Sequence, residues 1–98
     1  MEDYKLINNK EENQYEFLID DFTAKIEYIL NNNGEIYLTH TEVPPQLERQ
    51  GIGTQLVEKT LKDIDSDGYK VVPLCPFVIG YIQKNPEWKR IVMKGIRI

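Results

Sequence analysis

Residues 48–54 read ERQGIGT, two glycines one residue apart. Directly after them the apolar residues take up a helical spacing. Ile52, Leu56, Val57, Leu61 and Ile64 recur three and four apart, one stripe of an α-helix beginning near Gln50. Directly before them Pro44-Pro45 stops an alternating, strand-like stretch. The heptapeptide is therefore a junction leading from a strand into a helix. At such a junction the first backbone amides of the helix lack internal acceptors and carry the positive end of its dipole. Glycine lets an anion approach those amides with no Cβ in the way. Gln50 to Thr54 contains no carboxylate that would fill the place. Gly51 and Gly53 either shape a tight turn packed on a sheet or cradle a phosphate, and the seven residues alone leave both open. No Lys-Ser/Thr follows, so the stretch is not a P-loop, and the third glycine of a dinucleotide fingerprint is missing.

Upstream the period is two. In YEFLI (15–19), Tyr15, Phe17 and Ile19 share a face. Asp20-Asp21 reads as a two-residue turn. In FTAKIEYIL (22–30), Phe22, Ala24, Ile26, Tyr28 and Leu30 share one face, and Thr23, Lys25 and Glu27 the other. Asn31-Asn32-Asn33-Gly34 is a turn, because Asn and Gly tolerate positive φ. Residues 35–43 form the next strand, with Ile36, Leu38 and His40 on one face and Tyr37, Thr39, Thr41 and Val43 on the other. Residues 5–8 add a first strand. The expectation is an antiparallel meander of three to four strands.

Downstream, Asp67-Gly68 ends the helix with a left-handed glycine cap. YKVVPLC (69–75) is apolar on both faces, which points to a buried interior strand parallel to a neighbour. Residues 35–75 then form one right-handed βαβ unit. Pro76 suits the first position of a second helix over 76–84. Asn85-Pro86 breaks it, with a short turn through Trp88 and Ile91 beyond. The tail MKGIRI has no clear period. The fold class is α+β: a meander, a βαβ unit making a mixed sheet, and a C-terminal helix.

Composition narrows the function. Ninety-eight residues make one domain. The net charge is −4, and the twelve Lys and Arg are scattered without a basic stripe, which argues against nucleic acid. No apolar run approaches a membrane span, and the acidic start MEDYKLINNKEE is no signal peptide. One cysteine cannot form an internal disulfide and suits a reducing cytoplasm. With one histidine beside it, no metal site is expected. His40, the sole histidine, sits near the carboxyl end of its strand. It reads either as a general base or as a half-buried, inert residue beside Ile36 and Leu38. Cys75 precedes the helix that Pro76 opens. A helix start lowers a thiol's pKa, so Cys75 reads as a proton donor or acyl carrier, or as a small buried apolar residue.

The Val43-Pro44-Pro45 stop, the Gly51-Ile52-Gly53 turn, the amphipathic helix and the buried strand together resemble the GNAT N-acetyltransferase superfamily. VVPLCPFVIGYIQKNPEW (71–88) resembles its small single-domain branch, in which Pro-x-Cys-Pro-Phe is followed by Tyr-Ile and Pro-Glu-aromatic. The likeness spans about residues 15 to 92. It implies an acetyl-CoA-dependent acetyltransferase, an acyltransferase acting on a primary amine of a small molecule or protein by direct attack. It also implies a splayed pair of parallel strands, 35–43 and 69–75, with the cofactor in the gap. The amides of Arg49, Gln50, Gly51, Ile52, Gly53 and Thr54 would hold the pyrophosphate of coenzyme A, and the Val43 N–H would polarise the thioester carbonyl. Lys84 would touch a phosphate. Tyr81 would protonate the departing sulfur and line the cofactor site, with His40 and Cys75 the other catalytic candidates. Glu48 stands where the superfamily has Gln or Arg, and Asn85 where the branch often has His. The chain reads as a truncated single domain, 1–98, without the final strands of a full-length enzyme, and as a monomer or weak homodimer. The alternative is a non-catalytic coenzyme A-binding or thiol-responsive module.

Overall fold

A computed structural model of the protein describes residues 2–98. Its elements run β1 (Ile7–Asn9), β2 (Gln14–Ile19), β3 (Phe22–Leu30), β4 (Glu35–Glu42), a 3-10 turn (Pro45–Leu47), α1 (Ile52–Ser66), β5 (Lys70–Pro73), α2 (Pro76–Lys84) and a second 3-10 segment (Pro86–Ile91). Among the described residues one sheet forms in the order β1-β2-β3-β4-β5, antiparallel up to β4 and parallel between β4 and β5. The expected meander and βαβ unit are both present.

Local chemistry sets the turns. Asp20, at φ 54°, makes the two-residue link between β2 and β3. Asn31 Oδ1 accepts from the amides of Asn33 and Glu35 at 2.9 and 3.0 Å, closing the next turn, where Gly34 takes φ 76°. Gly68, at φ 78°, ends α1, and the Tyr69 amide bonds back to Ile64 O.

The core lies where α1 packs on β2 and β3. Phe17, Ile26, Leu38, Leu56, Leu61, Ile64 and Val71 are fully or almost fully excluded from water there. A segment the pattern left unread ties down the helix from outside. The Tyr4 amide donates to Gln55 Oε1, Gln55 Nε2 donates to Glu2 O, and Lys59 bonds Tyr4 O and pairs with Asp3.

Three expectations change. The first strand sits at Ile7–Asn9, two residues late. β5 is the end strand of the sheet among the described residues and not an interior one; α1 and α2 pack against it, and a later segment meets its outer edge, where Val92 bridges Val71 and the Met93 amide bonds Val71 O at 2.8 Å. The third change is at the end of the meander. Glu27 pairs with His40, but the next residue, Tyr28, pairs with Leu38, so Thr39 is an extra residue in β4. This bulge reverses the inward–outward alternation. Thr41, opposite the buried Ile26, now faces the α1 side, and His40, opposite Glu27, faces away from it. Leu30, the last residue of β3, pairs with Ile36 at the end of the sheet and is 41% exposed, so it does not join the buried core.

Two measurements follow from the core. Burial foremost, and then Asp63 nearby, hold the Tyr15 phenol well above its usual pKa. A raised folded pKa contributes stability that is complete below the unfolded value, near ~10, and is lost as pH rises beyond it. Alkaline denaturation should therefore steepen above that pH, and Tyr15→Phe should blunt the loss. Thr60 Oγ1 on α1 is buried without a hydrogen-bond partner among the described residues. Thr60→Val should raise stability by about 1 kcal/mol, read by urea unfolding.

Candidate active site

β4 and β5 pair in register from Glu35 and Lys70 to Leu38 and Pro73. Pro73 has no amide to extend the ladder. Leu38 O then accepts two amides, Leu74 at 3.0 Å and Cys75 at 3.1 Å, and the parallel pairing ends. β4 runs on to Glu42, its backbone paired with β3 alone among the described residues, while the β5 chain turns away into α2. The two strands are thus unzipped at their carboxyl ends, where α/β sheets place ligands.

Cys75 lies at this fork and is 5% exposed. Its thiol donates to Thr41 Oγ1 at 3.2 Å, across the gap. Burial pushes the thiol pKa up, but hydrogen bonds from the Thr41 side chain and from the amides of Val78, Phe77 and Thr41 outweigh it, and the net shift is downward.

Val43, just past β4, and the 3-10 turn lead into the glycine junction. Arg49 and Gly51 both adopt left-handed backbone, φ 63° and 73°, which folds the chain sharply into α1. The first turn of α1 has no acidic residue and, among the described residues, no side-chain cap. A cleft of about 260 Å³ opens here, lined by Val43, Leu47, Glu48, Arg49, Gly51, Ile52, Gly53, Thr54 and Phe77. A Cβ built on Gly53 would stand 2.8 Å from Phe77 Cζ and 3.4 Å from Val43 Cγ2. A side chain at Gly53 would therefore press on the tip of the half-exposed α2 aromatic. A neighbouring cleft of about 320 Å³ continues past Thr54 and Phe77 to Gly80, Tyr81, Lys84 and Asn85.

The expected cofactor residues Val43, Arg49, Gly51, Ile52, Gly53 and Thr54 come together on the first cleft, and Tyr81 and Lys84 on the second. Gln50 does not line either of these clefts; its side chain is exposed and donates to Gln46 O at 3.3 Å. Glu48 does line the first cleft, beside Arg49. The expected catalytic residues are less united. Tyr81 is half-buried on α2, and burial first, then the Glu58 carboxylate, raise its pKa so that the phenol keeps its proton. His40 does not share a face with Ile36 and Leu38, because the bulge turns it outward. Its side chain is 56% exposed, with Nε2 3.5 Å from Glu42 Oε1. No hydrogen bond joins any two of His40, Cys75 and Tyr81 among the described residues. Sequence reasoning missed Phe77 and Thr41. Phe77 carried a signal, its place in the PLCPF run; Thr41 carried none.

A family model described as GCN5-related N-acetyl-transferase matches residues 14–91. Among solved structures, the solution structure of a GCN5-like protein from Staphylococcus aureus is similar at 23% identity and a TM-score of 0.71, covering 99% of this chain and 94% of that one. At that identity it speaks for the fold alone, and the fold agrees.

The contact between Gly53 and Phe77 is open to a double-mutant cycle. Alanine favours a helix over glycine by roughly 1 kcal/mol. Gly53→Ala should yield that gain only when Phe77→Ala is also present, a coupling of about 1 kcal/mol in urea unfolding. Additive values would show that the ring does not press on the helix start.

Proposed function

Because the chain belongs to the GCN5-related N-acetyltransferase family, we propose that its single domain moves an acetyl group from acetyl-CoA to a primary amine by direct attack. One observation carries the reading. The strand that unzips from β5 after Leu38 ends at Glu42, and Val43, the next residue, lies against the uncapped, glycine-lined start of α1. A thioester in the gap and a pyrophosphate at the helix are thereby served by one continuous stretch of chain.

The residues present fit that cofactor. Backbone amides from Arg49 to Thr54 offer donors to a pyrophosphate, with no acid in the first helical turn to compete. Glu48 and Arg49 both line the cleft, so its side-chain charges are of both signs. Lys84, on the second cleft, suits a further phosphate. When bound, acetyl-CoA supplies an activated acetyl thioester. The Val43 N–H is the donor for its carbonyl oxygen as negative charge develops there. The protonated Tyr81 phenol and the Cys75 thiol are the groups that can hold or give a proton on the sulfur side. His40 lies on the opposite face of the sheet, among Lys25, Glu27 and Glu42. Exposed beside Glu42, it is the group to take the proton of an amine arriving from that side.

Calorimetry with acetyl-CoA, followed by free-thiol release across a panel of primary amines, tests the proposal. Binding, with thiol release on at least one amine, is expected. Gly53→Val should weaken binding by tenfold or more, since a branched side chain fills the cleft. Absence of heat would remove the cofactor from the account. Binding without turnover on any amine would mark a coenzyme A-binding module instead.

A further inference from the structure

β4 and β5 share no further backbone pairing after Leu38, yet one side-chain bond still crosses between them, from Cys75 Sγ to Thr41 Oγ1 at 3.2 Å. An uninterrupted β4 would point Thr41 to the face opposite Leu38. The extra residue at Thr39 reverses that, and Thr39 Oγ1 fixes the bulge by donating to Glu27 O at 3.2 Å. The bulge therefore does two things together. It turns the only histidine out to solvent, and it brings a hydroxyl to the only cysteine.

We propose that Thr41 is the positioning residue of this site. Its hydroxyl accepts from the Cys75 thiol, and it rotates to donate once the sulfur is a thiolate. Sγ is thereby kept at the fork between β4 and β5 in both protonation states. A buried thiol with no such partner would keep its proton and be inert. Fixed charges do not do this work. Lys25, Glu27, His40 and Glu42 lie on the other face of β3 and β4. From α1 the Glu58 carboxylate acts on Tyr81, and Lys84 lies at the far end of α2 beside Asn85. The neighbours of Sγ are the Thr41 hydroxyl and the amides of Thr41, Phe77 and Val78. This inference rests on reading the fork as the acetyl-transfer site, but its test does not need acetyl transfer.

The chain has one cysteine, so the ultraviolet absorbance of the thiolate reads Sγ alone below the pH at which tyrosines ionise. The wild-type thiol should titrate below a free cysteine measured under the same conditions. Thr41→Val keeps the shape and removes the hydroxyl; it should move the inflection up. Thr41→Ser should move it back. Circular dichroism on each variant separates a lost hydrogen bond from a lost fold, and Thr41→Ala against Thr41→Ser makes the same comparison if valine unfolds the chain. An unshifted inflection in Thr41→Val, a Thr41→Ser that titrates like valine, or a wild type that titrates as free cysteine overturns the proposal. A wild type that titrates low but gives no heat with acetyl-CoA removes the acetyl-transfer reading and leaves the Thr41–Cys75 pair standing.

Discussion

Two parallel strands can admit a ligand between them only where their backbone groups stop bonding to each other, and here that point is Leu38. Its carbonyl takes the amides of both Leu74 and Cys75, which consumes the last pairing β5 can make before turning into α2. Everything assigned to the site is arranged around that terminus. Cys75 lies at the fork, Val43 directly follows the strand that walks away from it, and α1 begins beside Val43. An unbroken ladder would leave the sheet closed and the glycine turn with no gap to serve.

The opening is held by packing on both sides. β4 does not collapse onto β5 because β3 keeps it, through the pairs Ile26–Thr41 and Lys25–Glu42. β5 does not follow β4 because Pro73 lacks an amide and Pro76 starts a helix whose Val78 and Ile82 are fully buried. Phe77, 46% exposed, leans over Gly53 and forms the wall shared by the two clefts. Charge at this wall is mixed. Glu48 and Arg49 face the same space, so the helix amides, which cannot be neutralised by a side-chain rotation, are the steady donors.

Much of the fold was legible because its signals are local. Period two in 22–30, the Asn-Asn-Asn-Gly turn, the stripe from Ile52 to Ile64 and the Asp67-Gly68 stop depend on residues a few places apart. The glycine-lined helix start was legible for the same reason: a helix start and its glycines are contiguous. The place of β5 at the end of the sheet was not legible, because an apolar strand reads alike whether a strand, a helix or a returning segment covers it. The docking of Glu2 to Tyr4 on Gln55 and Lys59 was not legible either, since it joins residues more than fifty positions apart.

The residue types, their periods and the PLCPF segment by themselves determined an α+β chain with a meander, one βαβ unit and a glycine-lined helix start in the pattern of an acetyltransferase. Only the tertiary structure decided which way the reactive side chains of β4 face. One extra residue at Thr39 costs the sequence no hydrophobic pattern, since Thr39 to Glu42 are all polar. The pairing of Glu27 with His40 and of Tyr28 with Leu38 is what inverts the strand. That inversion took His40 from the apolar face on which alternation placed it and put Thr41 against Cys75. A strand's faces follow from its partners as well as its own alternation, and the partners are set when the sheet assembles.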